Sequence, residues 1–264
     1  MPALGEVAHA SDAFEEPAGG GAVAAVQLAR LAGEALLVTA LGRDELGRRS
    51  VARLKALGVR VEAAWREAPT RRAVTLVDEQ GERTIVTFGK RLEPVGDDEL
   101  PWRELEEMDA VYFTAGDLSA LRAARGGEVL VASPRARDAL GHGVPIDALV
   151  LSEDDAIERR AAARGEGEAE LVVRTRGDRG GTFRRRAPAE SGSWEAMPIQ
   201  GGVVDAYGCG DSFAAGLAYA LGLGEEPRRA LAFAARCGTA CLTGRGPYEG
   251  QLTGAELEDE HSAA

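Results

Sequence analysis

The residues of this chain best suited to chemistry fall in one run, Val203-Val204-Asp205-Ala206-Tyr207-Gly208-Cys209-Gly210-Asp211-Ser212-Phe213-Ala214-Ala215-Gly216. Two β-branched valines lead into a Gly-Cys-Gly turn. The small and apolar residues after Asp211 predict a helix that begins there. A helix N-terminus presents unpaired N–H groups and the positive end of the helix dipole, so it favours an anion. Gly208 and Gly210 let the backbone curl until successive N–H groups point one way. A carboxylate at the mouth of such a nest repels a phosphate unless it has work to do. The work available is to take a proton from a hydroxyl that attacks phosphorus. The competing reading is a glycine-rich turn with Asp211 as a helix cap.

Two further glycine clusters sit where a backbone can approach a ligand closely. Gly19-Gly20-Gly21 opens a helix expected over 22–32, and Thr175-Arg176-Gly177-Asp178-Arg179-Gly180 follows an apolar run at 171–175. Each is also compatible with an ordinary turn or helix start. The elements that must position these loops follow a strand–loop–helix rhythm. Ala35–Leu41 is an unbroken apolar run, as expected of a strand buried on both faces, and a helix follows it to about Leu57 with Gly58 as its stop. Ala110–Thr114, Val129–Ala132, Ala148–Leu151 and Leu171–Thr175 repeat the short apolar pattern. That rhythm predicts α/β architecture with a largely parallel sheet. Residues 59–88 break it. Val59–Trp65, Ala73–Asp78 and Arg83–Phe88 alternate polar and apolar, with a hairpin turn at 78–82, which predicts a small sheet able to cover a site. Residues 5–16 alternate loosely and are expected to add a strand to it.

Composition bounds the function. The 264 residues are 45% hydrophobic and 28% charged, a soluble globular balance that can form one large core. A net charge of −12 leaves no basic excess for nucleic acid or an anionic membrane. No apolar run is long enough to cross a bilayer and no signal pattern opens the chain, so cytoplasm is the expected location. Cys209, Cys237 and Cys241 form neither a disulfide framework nor a zinc spacing. A Gly-Lys-Ser/Thr phosphate loop and a dinucleotide fingerprint are both lacking.

The run 205–211 resembles the Asp-Thr-x-Gly-Ala-Gly-Asp signature of the ribokinase-like (PfkB) family of carbohydrate and nucleoside kinases, with Asp205, Gly208, Gly210 and Asp211 matching and Cys209 in place of Ala. Family motifs recur in order along nearly the whole chain: Gly19–Gly21, Gly42-Arg43-Asp44-Glu45-Leu46-Gly47, Pro69-Thr70, Gly81-Glu82-Arg83, Thr175-x-Gly177-x-x-Gly180, and a last helix at 230–243 ending in Gly244-Arg245-Gly246-Pro247. The resemblance implies a doubly wound, mainly parallel sheet flanked by helices, in one domain over 1–264 with lid strands at 5–16 and 59–88. It implies an ATP- and Mg²⁺-dependent kinase with a sugar or nucleoside as acceptor. Asp211 would be the base and Gly208-Cys209-Gly210 the anion hole. Thr175, Gly177, Gly180, Ala235 and Gly246 would lie along the nucleotide, and Gly19, Gly20, Gly21 and Asp117 would bind the acceptor. Asp205 becomes a candidate ligand for a monovalent cation such as K⁺, and the lid a candidate homodimer interface.

Three departures stand against that pattern. Val23 occupies the place of an Asn that faces the sugar, and the chain has no Asn anywhere. Ser152-Glu153-Asp154-Asp155 replaces an Asn-x-x-Glu motif, leaving Asp155 to hold hydrated Mg²⁺, or simply to open an acidic helix start. The family's first core strand has no counterpart, so the chain is expected to be truncated or its sheet one strand short. Two alternatives follow: an impaired nucleotide- or sugar-binding protein of the same fold, and a kinase for a hydroxymethyl vitamin precursor, which would have little or no lid.

Overall fold

The computed structural model describes residues 5, 7, 9–78, 81, 83–199 and 202–254. Its centre is a six-stranded sheet in which β5 (Ala110–Phe113), β6 (Val129–Ala132), β7 (Ile146–Ser152) and β8 (Ala169–Thr175) run parallel in that order; β9 (Gly181–Arg185) and β10 (Glu190–Trp194) continue it antiparallel beyond β8. Both faces are covered, which is why these strands read as unbroken apolar runs. Leu130, Leu149, Leu151 and Val172 point into one core with α3 (Leu118–Ala124) and α4 (Ala156–Gly165). Val131, Ala148, Val150 and Val173 point into the other, with α5 (Cys209–Gly222) and α6 (Pro227–Cys241). Each fully buried Leu here contributes about 1.5–3 kcal/mol of hydrophobic stabilisation. Helices α5 and α6 lie so close that a Cβ on Gly216 would sit 2.6 Å from the Cys237 Sγ. The small residues Ala214, Ala215 and Ala218 permit that approach.

The N-terminal half forms a separate parallel pair. β1 (Ala35–Gly42) and β2 (Val59–Arg66) align from Ala35 opposite Val59 to Gly42 opposite Arg66. Helices α1 (Gly20–Ala32) and α2 (Glu45–Ala56) complete this unit, packed around Val26, Leu54, Val59 and Val61. β2 is therefore part of the body, correcting the expectation of a lid strand at 59–65. Alternating burial marks any half-covered strand and does not reveal its partner. A second correction concerns 5–16, where the described residues form no strand. Among the described residues, β1 pairs only with β2 and β5 only with β6, so the sheet is interrupted. A cavity of about 2440 Å³ lies along the break, lined by residues 35–41 of one edge and 109–115 of the other.

The lid is a two-stranded hairpin, β3 (Arg72–Val77) against β4 (Arg83–Phe88), with Val74 opposite Val86. That register puts Val74, Leu76, Val86 and Phe88 on one face and Ile85 on the other. Its root is fixed by Asp44, whose carboxylate accepts the Gly47 N–H at 2.8 Å to cap α2 and accepts both the N–H and the hydroxyl of Thr70 at 2.7 Å. Those contacts hold the Asp44 carboxyl below the usual range, Gly47 contributing most. Its tip reaches the glycine-rich turn: the Ala206 N–H donates to the Gly81 C=O at 3.2 Å, and the Arg83 guanidinium donates to the Ala206 C=O. No helix among the described residues is long and apolar enough to cross a membrane.

Candidate active site

Helix α5 begins as its sequence predicts. Gly208 caps it at φ 89°, a left-handed conformation that suits glycine. A side chain there would also sit 2.9 Å from Val23 Cγ1. The first intrahelical bond runs from the Ser212 N–H to the Gly208 C=O at 2.8 Å. The N–H groups of Cys209, Gly210 and Asp211 therefore precede the helical ladder and remain available to an anion. Nothing lies within 4 Å of a Cβ built on Gly210, so the approach to this nest is open. Burial pushes the Cys209 thiol up, so the residue is a thiol rather than a thiolate at neutral pH.

Asp211 is 14% exposed, and its Oδ1 lies 3.5 Å from Arg135 Nη1. Burial pushes the Asp211 carboxyl up; the Arg135 charge pulls against it, Glu158 adds to the rise, and Arg83 opposes it. The Arg135 Nε donates to Glu158 Oε1 at 2.8 Å, and Glu158 Oε2 accepts the Ser152 N–H at 2.8 Å. A chain of contacts thus runs from the end of β7 through Glu158 and Arg135 to Asp211. Gly20 completes the surroundings: a Cβ there would stand 2.6 Å from Asp211 Oδ1. The glycine at that position leaves space for the carboxylate. An ionised carboxylate whose affinity for a proton has been raised, beside an anion nest, is suited to accept a proton from a hydroxyl.

The structure brings some expected residues together and sets others apart. Gly19, Gly20 and Gly21 line the cavity with Asp155 and Gly246. Gly19 is at φ 94°, a second backbone position that favours glycine. Of the acidic trio at 153–155, Glu153 pairs with Arg176 and Asp154 with Arg179. Among the described residues Asp155 makes no ion pair; it caps α4, accepting the Ile157 N–H at 2.7 Å. Asp205 is 4% exposed. It accepts the Tyr207 N–H at 2.8 Å and the Gly246 N–H at 3.0 Å, clamping the turn before α5 to the loop after α6. Thr175 ends β8, and its hydroxyl donates to the Leu151 C=O at 3.3 Å. Gly180 passes so near Trp194 that a Cβ would meet its carbonyl at 2.0 Å. Gly177 opens the short turn between Thr175 and Gly180, and Ala235 is buried against the sheet on α6. Asp117 stands apart from the cavity lining: its Oδ1 caps α3 through the Ala120 N–H at 2.8 Å and also accepts the Gly96 N–H at 3.0 Å. Sequence reasoning missed Arg135 and Glu158. The one available signal was Arg135 directly beyond the carboxyl end of an apolar strand, where parallel sheets gather ligands.

The sequence matches the model of the pfkB family carbohydrate kinases over residues 3–137 and 145–253. This chain belongs to that family. It is accordingly a kinase, a phosphotransferase that uses an alcohol group as acceptor. Solved structures share the kinase's fold at low identity. A ribokinase from Thermotoga maritima superposes with TM-score 0.74 at 21% identity, covering 99% of this chain and 93% of that one. A ribokinase from Arabidopsis thaliana, solved with ribose and ATP, gives 0.73 at 20%, covering 98% and 92%. A candidate ribokinase II from E. coli in complex with ATP and Mg²⁺ gives 0.69 at 21%, covering 98% and 95%. Among curated proteins, none matches the sequence.

Proposed function

We propose that the kinase transfers the γ-phosphoryl group of ATP to a hydroxyl of a sugar or nucleoside, with Asp211 as the general base. The observation that carries this reading is a buried carboxylate one position beyond an open N–H nest at the head of α5. The acceptor oxygen forms a bond to the γ-phosphorus while the bond to the β-bridging oxygen breaks. The hydroxyl proton passes to Asp211, and ADP leaves. The N–H groups of the Gly208-Cys209-Gly210 turn face the charge on the transferring group, where preorganised donors are most effective. Thr175, Gly177, Gly180, Ala235 and Gly246 form the nucleotide side, and Gly19–Gly21 the acceptor side.

The donor set suits Mg²⁺ held largely by phosphate. The described residues contain no cluster of three or more metal-binding side chains, and Asp155 is a cavity carboxylate with no ion pair among them. One carboxylate plus phosphate oxygens is a common arrangement for this ion, which when bound neutralises phosphate charge. Asp205 supports a monovalent site less directly, since both its oxygens already accept backbone N–H groups.

The test is Asp211→Asn assayed against a panel of sugars and nucleosides. Loss of a general base lowers kcat on the order of 10²–10⁴-fold, with ATP binding retained. Near-normal kcat in that variant would remove Asp211 from the role. The β3–β4 hairpin, with its contact to Ala206, favours this reading over a vitamin-precursor kinase with a rudimentary lid.

A further inference from the structure

The acceptor side of the cavity has an unexpected charge. The whole chain carries −12, yet Arg71, Arg91, Arg135 and Arg137 all line the cavity, and Arg135 reaches Asp211 at 3.5 Å. Arg91 is the hub. Its guanidinium donates to the Arg135 C=O at 2.9 Å and the Thr114 C=O at 2.8 Å, and it pairs with Glu93 at 2.9 Å. Burial lowers its proton affinity, and Arg137, Arg135 and Arg71 lower it further against the pull of Glu93, so Arg91 feels the other three charges.

Two of the four are already neutralised. Arg91 has Glu93, and Arg135 has Glu158 and Asp211. Among the described residues, the other two have no acid, and Arg71 donates only to the Thr87 hydroxyl, at 2.8 Å. The Arg137 guanidinium makes no ion pair or hydrogen bond among the described residues. Its backbone is nevertheless held at φ 50°, ψ −110°, where a residue with a Cβ is strained. It is the one non-glycine residue at positive φ among those described. Strain of this kind costs on the order of 1–3 kcal/mol and is typically kept at ligand-binding positions. Arg71 and Arg137 are both exposed, so solvent screens their charges, and an anion that joins them gains charge-assisted contacts without displacing an acid.

We infer that the acceptor itself carries an oxyanion, as a sugar phosphate or a sugar acid does, and that Arg137 and Arg71 hold that group. The inference rests on the kinase reading above and names its substrate class. Arg135 links the cluster to the base, its C=O accepting from Arg91 and its Nη1 lying 3.5 Å from Asp211 Oδ1, so a sugar held by its anionic end would present a hydroxyl to Asp211. Guanidinium groups suit the task, because their planar fork matches both carboxylate and phosphate. A locally cationic pocket also draws an anionic substrate into a protein whose overall charge repels it.

Calorimetric titration of the kinase loaded with AMP-PNP and Mg²⁺ tests this, using matched pairs: ribose and ribose 5-phosphate, fructose and fructose 6-phosphate, glucose and gluconate. At least one anionic member is expected to bind about tenfold or more tightly than its neutral parent, the scale of a charge-assisted contact. The phosphate and carboxylate arms identify which oxyanion fits. The preference should weaken with added salt and be lost in Arg137→Gly and in Arg71→Gln. Glycine accepts φ 50°, so Arg137→Gly should melt no lower than wild type. Arg137→Lys should restore part of the preference. Equal binding of neutral and anionic members, binding of none, or a preference that survives both substitutions would each overturn the inference. ADP release, measured in parallel, keeps the two readings separate. Selective anion binding without ADP release sustains the anion site and counts against transfer to that acceptor. Release with neutral sugars alone sustains the kinase and overturns the anion site.

Discussion

Gly20→Ala is the sharpest perturbation of the base, because the group that must yield to the new methyl is the carboxylate itself. The added Cβ would stand 2.6 Å from Asp211 Oδ1, 3.3 Å from its Cγ and 3.4 Å from Arg135 Nη1. Ordinary contact begins near 3.4 Å, so the carboxylate oxygen must retreat by roughly 0.8 Å or rotate away. Displacement of a reacting group by about 1 Å is worth on the order of 10²-fold in rate. A flexible carboxylate gives way cheaply, and alanine is the better helix former by about 1 kcal/mol in a helix interior, so the fold should not suffer. The expected result is kcat lowered about 10²-fold, as read by ADP release, with an unchanged or slightly higher Tm. A double variant with Asp211→Asn checks the route. If Gly20→Ala acts by moving the base, it costs little once the base is gone. Full turnover in Gly20→Ala, or additive losses in the double variant, would refute the reasoning.

The remaining predictions concern the same site. In Arg135→Gln the ionised form of Asp211 loses its nearest cation, so its pKa rises from a value burial has already raised. Activity requires the ionised base and is lost as pH falls, so the acid limb of the kcat profile should move to higher pH; a limb that stays put or moves lower would show that Arg135 does not act on the base. Cys209→Ala should leave turnover close to wild type and change stability by no more than ~1 kcal/mol, and iodoacetamide should label Cys209 slowly at neutral pH. The lid's Val74 and Phe88 are each 50% exposed on one face, so a second copy pairing there would cover them; light scattering should report a dimer that Val74→Lys dissociates, and a monomer at all accessible concentrations would dismiss that pairing.

What the sequence made legible follows from how strongly each feature is written. Strands β5 to β8 are covered on both faces and so appear as apolar runs that few other structures explain. The turn at Gly208 was legible because its backbone conformation nearly demands glycine. Arg135 and Glu158 were not, because almost every basic residue in this chain is Arg, and one more after a strand offers no contrast. Their importance comes from three-dimensional convergence of β6, β7 and α4 on Asp211, and sequence spacing does not encode that convergence. Asp117 shows how one signal suits two roles. A carboxylate directly after a strand also suits a helix cap, and capping is the role its contacts show. The partner of β2 was likewise invisible, since alternating burial records only that one face is covered.

The break between β1 and β5 has a consequence for how the molecule holds together. A continuous sheet couples its strands through a shared ladder of hydrogen bonds, whereas here no ladder crosses from the β1–β2 unit to the six-stranded sheet among the described residues. The junction depends on side-chain packing, chiefly α1 against α5. Units joined in this way open with separate free energies rather than as one cooperative block. Gly19–Gly21 belong to one unit, and Asp211 and Arg135 to the other. An acceptor bound between them therefore bridges the seam, and its binding energy becomes cooperativity that the backbone does not supply.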